Sequence, residues 1–338
     1  MNILYHLTIL PPPIPQAEAL SQEIAALQRH FGGRTVYLNP NQRSPVYVPR
    51  LLFGFHKLIQ LRALEARTHL HHIYNPDPFP FPILRMLRRP VVYSLTGGVV
   101  RRPNVSFFAK LAAVTVIDEA SLARLRGWGL ENVCLARPGI DVGRFTHTPL
   151  TLTPEIRLMI GSAPWTRRQF RTKGIEALLE AAQREPRLRL IFLWRGVLAE
   201  EMTDRVKAMG LQAQVTVLDW VVDVNQVLAG VHASVVLADA PDIVKAYPHS
   251  LMESLAAGKP VLVSRSIPMA DYVARTGCGV VVERVTPEKV LIAIAVLVQQ
   301  YDDLQRATRR VGPRDFALDG MIASFEKVYQ NLVVSLDN

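Results

Sequence analysis

Two cysteines, Cys134 and Cys278, are all that 338 residues hold. So few leave no disulfide framework and no cysteine zinc site, and they fit a reducing cytoplasm. Long hydrophobic runs are missing too. The longest, Val290 to Val298, is about half of the ~18 to 20 residues that a membrane helix needs. The opening MNILYHLTIL has no basic leader and no small-residue cleavage site, and PPPIP follows at once. A first strand and loop are expected there rather than a signal peptide. No internal repeat, low-complexity tract, aromatic-rich strand pair or familiar nucleic-acid recognition module is visible, which argues against a nucleic-acid partner.

What is present is apolar mass, 49% of the residues, enough for a large core and, at this length, for two domains. Charge is divided unevenly. Residues 1–150 hold 17 Lys and Arg against 8 Asp and Glu, while residues 151–338 hold 22 against 21. A basic N-terminal half attracts anions at long range, so an anionic membrane surface, a phosphorylated acceptor or nucleic acid would suit it.

Strand-like and helix-like stretches alternate throughout. In the first half, MNILYHLTIL, RTVYL (34–38), HLHHIYN (69–75), PVVYSLT (90–96) and AAVTVID (112–118) read as strands, with helices at 17–31 and 119–129. The proline-bearing THTPLTLTPE (146–155) reads as a linker. A second series follows: strands at 155–163, 188–196, 215–220, 233–239 and 260–264, and helices at 173–185, 200–209 and 250–257. Such βαβα order implies parallel sheets covered on both faces, two Rossmann-like units in tandem. The segment 320–334 reads as an amphipathic helix with Phe325 and Tyr329 on one face.

In open parallel sheets ligands gather at the carboxyl ends of the strands, where helix N-termini present N–H groups to anions. Two stretches of the second series stand there. In SAPWTRRQFRTKG (162–174), Arg167, Arg168, Arg171 and Lys173 crowd the loop before the expected helix. In KAYPHSLMESLAAGKPVLVS (245–264), Ser250 and Glu253 have capping-box spacing, which would make Glu253 structural. Alternatively, N–H groups at Ser250 and Leu251 hold a phosphate while Glu253 accepts hydrogen bonds from a ribose.

These stretches resemble a family. ARPGIDVGRF (136–145) is similar to the segment that closes the N-terminal domain in the retaining GT-B glycosyltransferases of family 4, the group 1 glycosyl transferases. Arg168 and Lys173 match that family's diphosphate-neutralising pair, SLMESLAAGKPVLVS resembles its donor-site helix, and DFALDGMIASFEKVYQNLV its closing helix. The resemblance implies an α/β fold of two Rossmann-like domains with parallel sheets facing a cleft: an acceptor-side domain at 1–148, a donor domain at 155–318, and a helix at 319–338 crossing back toward the first. It implies transfer of a sugar, with retention, from a UDP- or GDP-type nucleotide sugar, with no cofactor and no metal. The site residues it suggests are Arg168, Lys173, Glu253 and Lys245 for catalysis. For the donor it suggests Ser162, Trp220, Asp242, Ser250 and Leu251 in addition, and for the acceptor Thr96, Gly97 and Gly98.

Three departures qualify the match. Lys245 stands where the family carries the first of two Glu residues eight apart, with Asp239 and Asp242 nearby as substitutes. PPPIPQAE (11–18) replaces a glycine-rich loop, and prolines lack the N–H groups such a loop offers. Thr96-Gly97-Gly98 stands where a His is common. A non-catalytic GT-B relative that binds a nucleotide or a partner is therefore the alternative. His69, His71 and His72 alternate across a strand and so do not form a metal site. Trp220 is either packed or set against a donor base. VPRLLFGFHKLIQLRALEAR (48–67) reads as one amphipathic helix, packed in the core or resting on anionic lipid, which would place a cytoplasmic enzyme on the inner face of a membrane near a lipid-linked acceptor.

Overall fold

The computed structural model describes residues 1–12, 19–42, 44–161, 163–194 and 197–334, the last two without their side chains. The chain divides into two units, one of Met1–Gly139 with Leu318–Asn338 and one of Ile140–Ala317.

Unit 1 is a six-stranded parallel sheet of β1 (Ile3–Leu7), β2 (Arg34–Tyr37), β3 (Leu70–Asn75), β4 (Val91–Leu95), β5 (Ala113–Val116) and β6 (Val133–Leu135), in the order β2-β1-β3-β4-β5-β6. Every residue of β1, β3, β4 and β5 is buried. Strands covered on both faces offer no solvent side, so any polar residue in them needs a partner. His71 and His72 point to opposite faces and each finds two. His71 bonds His6 at 2.8 Å and Glu65 at 3.1 Å. His72 bonds the Tyr329 hydroxyl and the Ser94 hydroxyl, both at 2.6 Å. Through Tyr329, with Met321, Phe325 and Val328 in the same apolar cluster, the helix Leu318–Val334 is fixed to the sheet of unit 1.

Unit 2 repeats the plan with β7 (Ile156–Ile160), β8 (Leu188–Leu193), β9 (Val215–Leu218), β10 (Ala233–Val236), β11 (Val261–Ser264) and β12 (Gly279–Val282), in the order β12-β11-β10-β7-β8-β9. All pairings are parallel. The longest apolar run of the sequence becomes the helix Pro287–Gln299, which buries Val290, Ala293, Ile294 and Leu297 as one stripe. No helix among the described residues is long and apolar enough to cross a membrane.

The segment 48–67 is not one helix. It is two 3-10 turns, Arg50–Leu52 and Phe55–Lys57, followed by a helix at Leu58–Glu65. Gly54 makes the break: its φ is +86°, and a Cβ there would lie 3.2 to 3.3 Å from Leu38 and Ile83. Leu61 and Glu65 face inward, whereas Leu51, Leu52, Phe55 and Ile59 are exposed.

Replacing Tyr329 with Phe is expected to cost about 1 to 3 kcal/mol in denaturant unfolding, because a buried His72 nitrogen loses its partner. Burial also pushes the His72 pKa down from 6.5 to about 3. The unfolded chain therefore binds the proton that the folded chain refuses. Stability should be full above pH 6.5 and decline as pH falls toward 3. Melting temperature against pH checks this, and a profile flat down to pH about 4 would contradict it.

Candidate functional site

In unit 2 the carboxyl end of β7 runs into Gly161, where a Cβ would lie 2.5 Å from the Cβ of Ser250 and 2.9 Å from its hydroxyl. The strand end and the first turn of the helix His249–Ala256 therefore meet with no room for a side chain. That helix is capped by Pro248, whose carbonyl takes the N–H groups of Leu251 at 3.1 Å and Met252 at 3.2 Å. The capping box expected of Ser250 and Glu253 does not form, since Ser250 already lies inside the helix. Leu251 N–H is engaged, and Ser250 N–H, at the second helical position, has no acceptor within the helix. Glu253 is half-buried, and its carboxylate forms no hydrogen bond or ion pair among the described residues.

The basic loop also differs from the expected arrangement. Arg168 opens a short helix, Arg168–Thr172, and Lys173 closes it; Gly174 in the left-handed region (φ +67°) then starts a second helix, Ile175–Arg184. Arg171 and Lys173 thus sit at a helix C-terminus, where cations are favourable. Arg167 is paired with Glu201 at 2.9 Å, while Arg168 is exposed and unpaired among the described residues. Lys173 is buried with its ammonium on the Ala163 carbonyl at 2.8 Å, and burial pushes its pKa down to about 8. Ala163 is two residues beyond Gly161, which brings the Lys173 ammonium to the strand end that Ser250 abuts. Asp239 N–H bonds the Thr172 carbonyl at 2.9 Å, so the loop after β10 closes on the same corner.

Asp242 is exposed and Lys245 half-buried on that loop. Trp220 is 58% exposed beyond β9, an edge strand, and is therefore not a packed residue. Ser162, with residues 13–18 of the proline loop, lies outside the described residues. Sequence reasoning overlooked Trp165, 65% exposed, whose backbone N–H donates to the Gln169 side-chain oxygen at 2.6 Å. An aromatic inside a basic loop was the available signal. The second lysine of the region, Lys259 in the Gly-Lys-Pro turn, is fully buried at the other end of the sheet, and burial lowers its pKa to about 8.

In unit 1, Thr96, Gly97 and Gly98 follow β4 and are buried. A Cβ on Gly97 would lie 2.7 Å from the Pro76 carbonyl oxygen, so its glycine serves close packing. A polar cluster that was not foreseen stands at the carboxyl ends of β1 and β3. Thr8 and Asn75 are hydrogen bonded at 2.5 Å, Arg50 pairs with Asp77 at 2.6 Å, and its guanidinium lies 4.3 Å from the Phe79 ring centre. Among the described residues no group of three or more His, Cys, Asp or Glu could hold a metal ion.

Residues 165–311 match the family described as glycosyl transferases group 1, which bears out the resemblance over the unit that carries Arg168, Lys173 and Glu253. No curated protein matches the chain. Among solved structures, HepE from Anabaena in complex with UDP is 14% identical, with a TM-score of 0.71 over 98% of this chain and 100% of that one. A glycosyltransferase from Rickettsia africae is 13% identical, with a TM-score of 0.73 over 98% of each chain. Sucrose-phosphate synthase from Thermosynechococcus elongatus is 15% identical, with a TM-score of 0.72 over 99% of each. The chain has the α/β GT-B fold of these structures, two Rossmann-like units with parallel sheets, and within the second unit residues 165–311 are similar to the group 1 glycosyl transferases.

Gly161→Ala is expected to destabilise unit 2 by roughly 1 to 3 kcal/mol, the usual cost of overpacking. Denaturant unfolding measures it; a loss below about 0.5 kcal/mol would mean that the Ser250 contact yields freely.

Proposed function

We propose that the protein transfers a sugar, with retention, from a UDP- or GDP-type nucleotide sugar to an acceptor, without a metal or other cofactor. The carrying observation is the corner of unit 2 in which Lys173 is held beside the strand end that Ser250 abuts. A departing diphosphate gains negative charge in the transition state, so cations placed in advance stabilise it more than the ground state. Lys173 supplies one such charge from a desolvated position and Arg168 a second from solvent. The Ser250 N–H, in the first turn of His249–Ala256, offers the diphosphate an aligned dipole. Glu253 is the acceptor for ribose hydroxyls, and the leaving phosphate takes the proton of the attacking hydroxyl. Trp220 or Trp165 offers a face for the base, and Lys245 with Asp242 faces the sugar. The UDP-glucose complex of Anabaena HepE supports a donor of this kind. On the acceptor side, Asp77 and Asn75 join Thr96, Gly97 and Gly98. The exposed Leu51, Leu52, Phe55 and Ile59 beside Lys57 suit contact with an anionic membrane bearing a lipid-linked acceptor. The second reading, a nucleotide-binding protein without transfer, is favoured by Lys245 in place of a carboxylate.

Thermal unfolding with UDP and GDP and their sugar conjugates tests the donor site. One series should raise the melting temperature, by the equivalent of about 2.7 kcal/mol at a hundred times its dissociation constant. Arg168→Ala and Glu253→Gln should remove the shift, and Arg168→Ala should cost about a hundredfold in transfer rate. Shifts without turnover on any acceptor would favour the second reading, and no shift with either series would overturn both.

A diphosphate on Lys173 should also raise its pKa from about 8. Below pH 8 the lysine is charged with or without ligand and affinity is level. Above it the free protein must take up a proton to bind, so affinity falls. Calorimetry in buffers of different ionisation enthalpy should register proton uptake near pH 8 that disappears in Lys173→Met.

A further inference from the structure

At the amino ends of β4 and β5, on the side of unit 1 opposite Thr96, lies a cavity of about 610 Å³. Its rim carries Arg85, Arg88, Arg89 and Lys110, and its floor includes Phe107 and Leu111. All four cations are exposed, and none has an ion pair among the described residues. We propose that this cavity is a binding site for a small ligand bearing a phosphate or diphosphate group, distinct from the donor site.

Three observations carry it. The first is charge without compensation: four like charges around one cavity repel one another, and an anion of two or more charges relieves them. Glu65, which holds the backbone of Arg88 and Arg89, is already committed. Its Oε1 accepts the backbone N–H groups of Arg88 at 2.6 Å and Arg89 at 3.4 Å and bonds His71, while Oε2 takes Arg62 at 3.3 Å. The second is preorganisation. Because Glu65 holds the Arg88 and Arg89 backbone, the two side chains project from a fixed turn, and Arg85 is steadied with its guanidinium 5.1 Å from the Phe107 ring centre. Groups held in place before binding lose little freedom on binding. The third is size and lining: the volume falls within the range of small-molecule sites, and an apolar floor under a few convergent polar groups is their usual composition. Guanidinium groups suit phosphate in particular, since each offers two parallel donors to its oxygens.

The cavity shares no residue with the proposed donor site. β4 spans five residues, so the cavity lies about 17 Å along the sheet from Thr96. Its ligand therefore sits apart from Thr96 and either regulates the protein or anchors it to a phosphate-bearing surface. Two sources share the required chemistry, a soluble phosphate compound and the headgroup of a phosphate-bearing lipid.

The test uses the full chain with pyrophosphate as probe, in saturating UDP so that the donor site is filled, and follows binding by calorimetry. Wild type should bind pyrophosphate under these conditions. Arg88→Ala/Arg89→Ala should weaken it by about tenfold or more, and Arg88→Lys/Arg89→Lys should recover part of the loss. These side chains can be removed safely, because the tie to Glu65 is made by backbone N–H groups. A parallel arm measures sedimentation with phosphatidylcholine vesicles containing or lacking phosphatidic acid. If the alanine pair loses vesicle binding as well, the source is a lipid headgroup; if it loses pyrophosphate alone, the source is a soluble compound. Equal behaviour of wild type and the alanine pair in both arms overturns the proposal, as does pyrophosphate binding that UDP abolishes.

Discussion

A parallel sheet has helices on both faces, so its interior offers no wet side, and every polar group within it must be answered or removed to a strand end. That constraint arranges both units. In unit 1 it turns two adjacent histidines into fasteners, one toward Glu65 and one toward Tyr329. In unit 2 the strands β7 to β11 carry one polar side chain each, Arg157, Arg189, Thr216, Ser234 and Ser264, and the candidate site residues stand just beyond the strands. Lys173 marks the corner: it is pulled under the surface and answered by one carbonyl, and burial lowers its pKa to about 8.

Much of the fold was legible because buried strands of five or six residues leave near-continuous apolar runs. β1, β3, β4, β7 and β8 were all read so. The two strands left unread, β6 and β12, are only three and four residues long and lie at sheet edges, where one neighbour suffices. The break at Gly54 was illegible for another reason. Its cause is contact with Leu38 and Ile83, and tertiary packing leaves no periodicity behind.

At the candidate site, residue types were legible and local geometry was not. The spacing of Ser250 and Glu253 fits a capping box as well as a ligand clamp. Pro248 decides between them by serving as the cap itself, and Glu253 is thereby released. Similarly, Arg168 and Lys173 were read as belonging to one helix start, whereas Gly174 divides them from the longer helix and sets Lys173 at the end of a short one. The Asn75–Asp77 cluster escaped notice because its partners, Thr8 and Arg50, come from distant parts of the chain and meet only through sheet order.

The return of Leu318–Val334 to unit 1 carries a consequence for how the protein is made. Tyr5, Leu20, Leu27 and Phe31 share their apolar cluster with Met321, Phe325 and Tyr329, nearly the full length of the sequence away. During synthesis the sheet of unit 1 waits, with that face uncovered, until the helix Leu318–Val334 has left the ribosome. Ile140–Ala317 contains all six of its own strands and can close earlier. The half translated first is therefore the last to be finished, and during that interval its open face is available to chaperones.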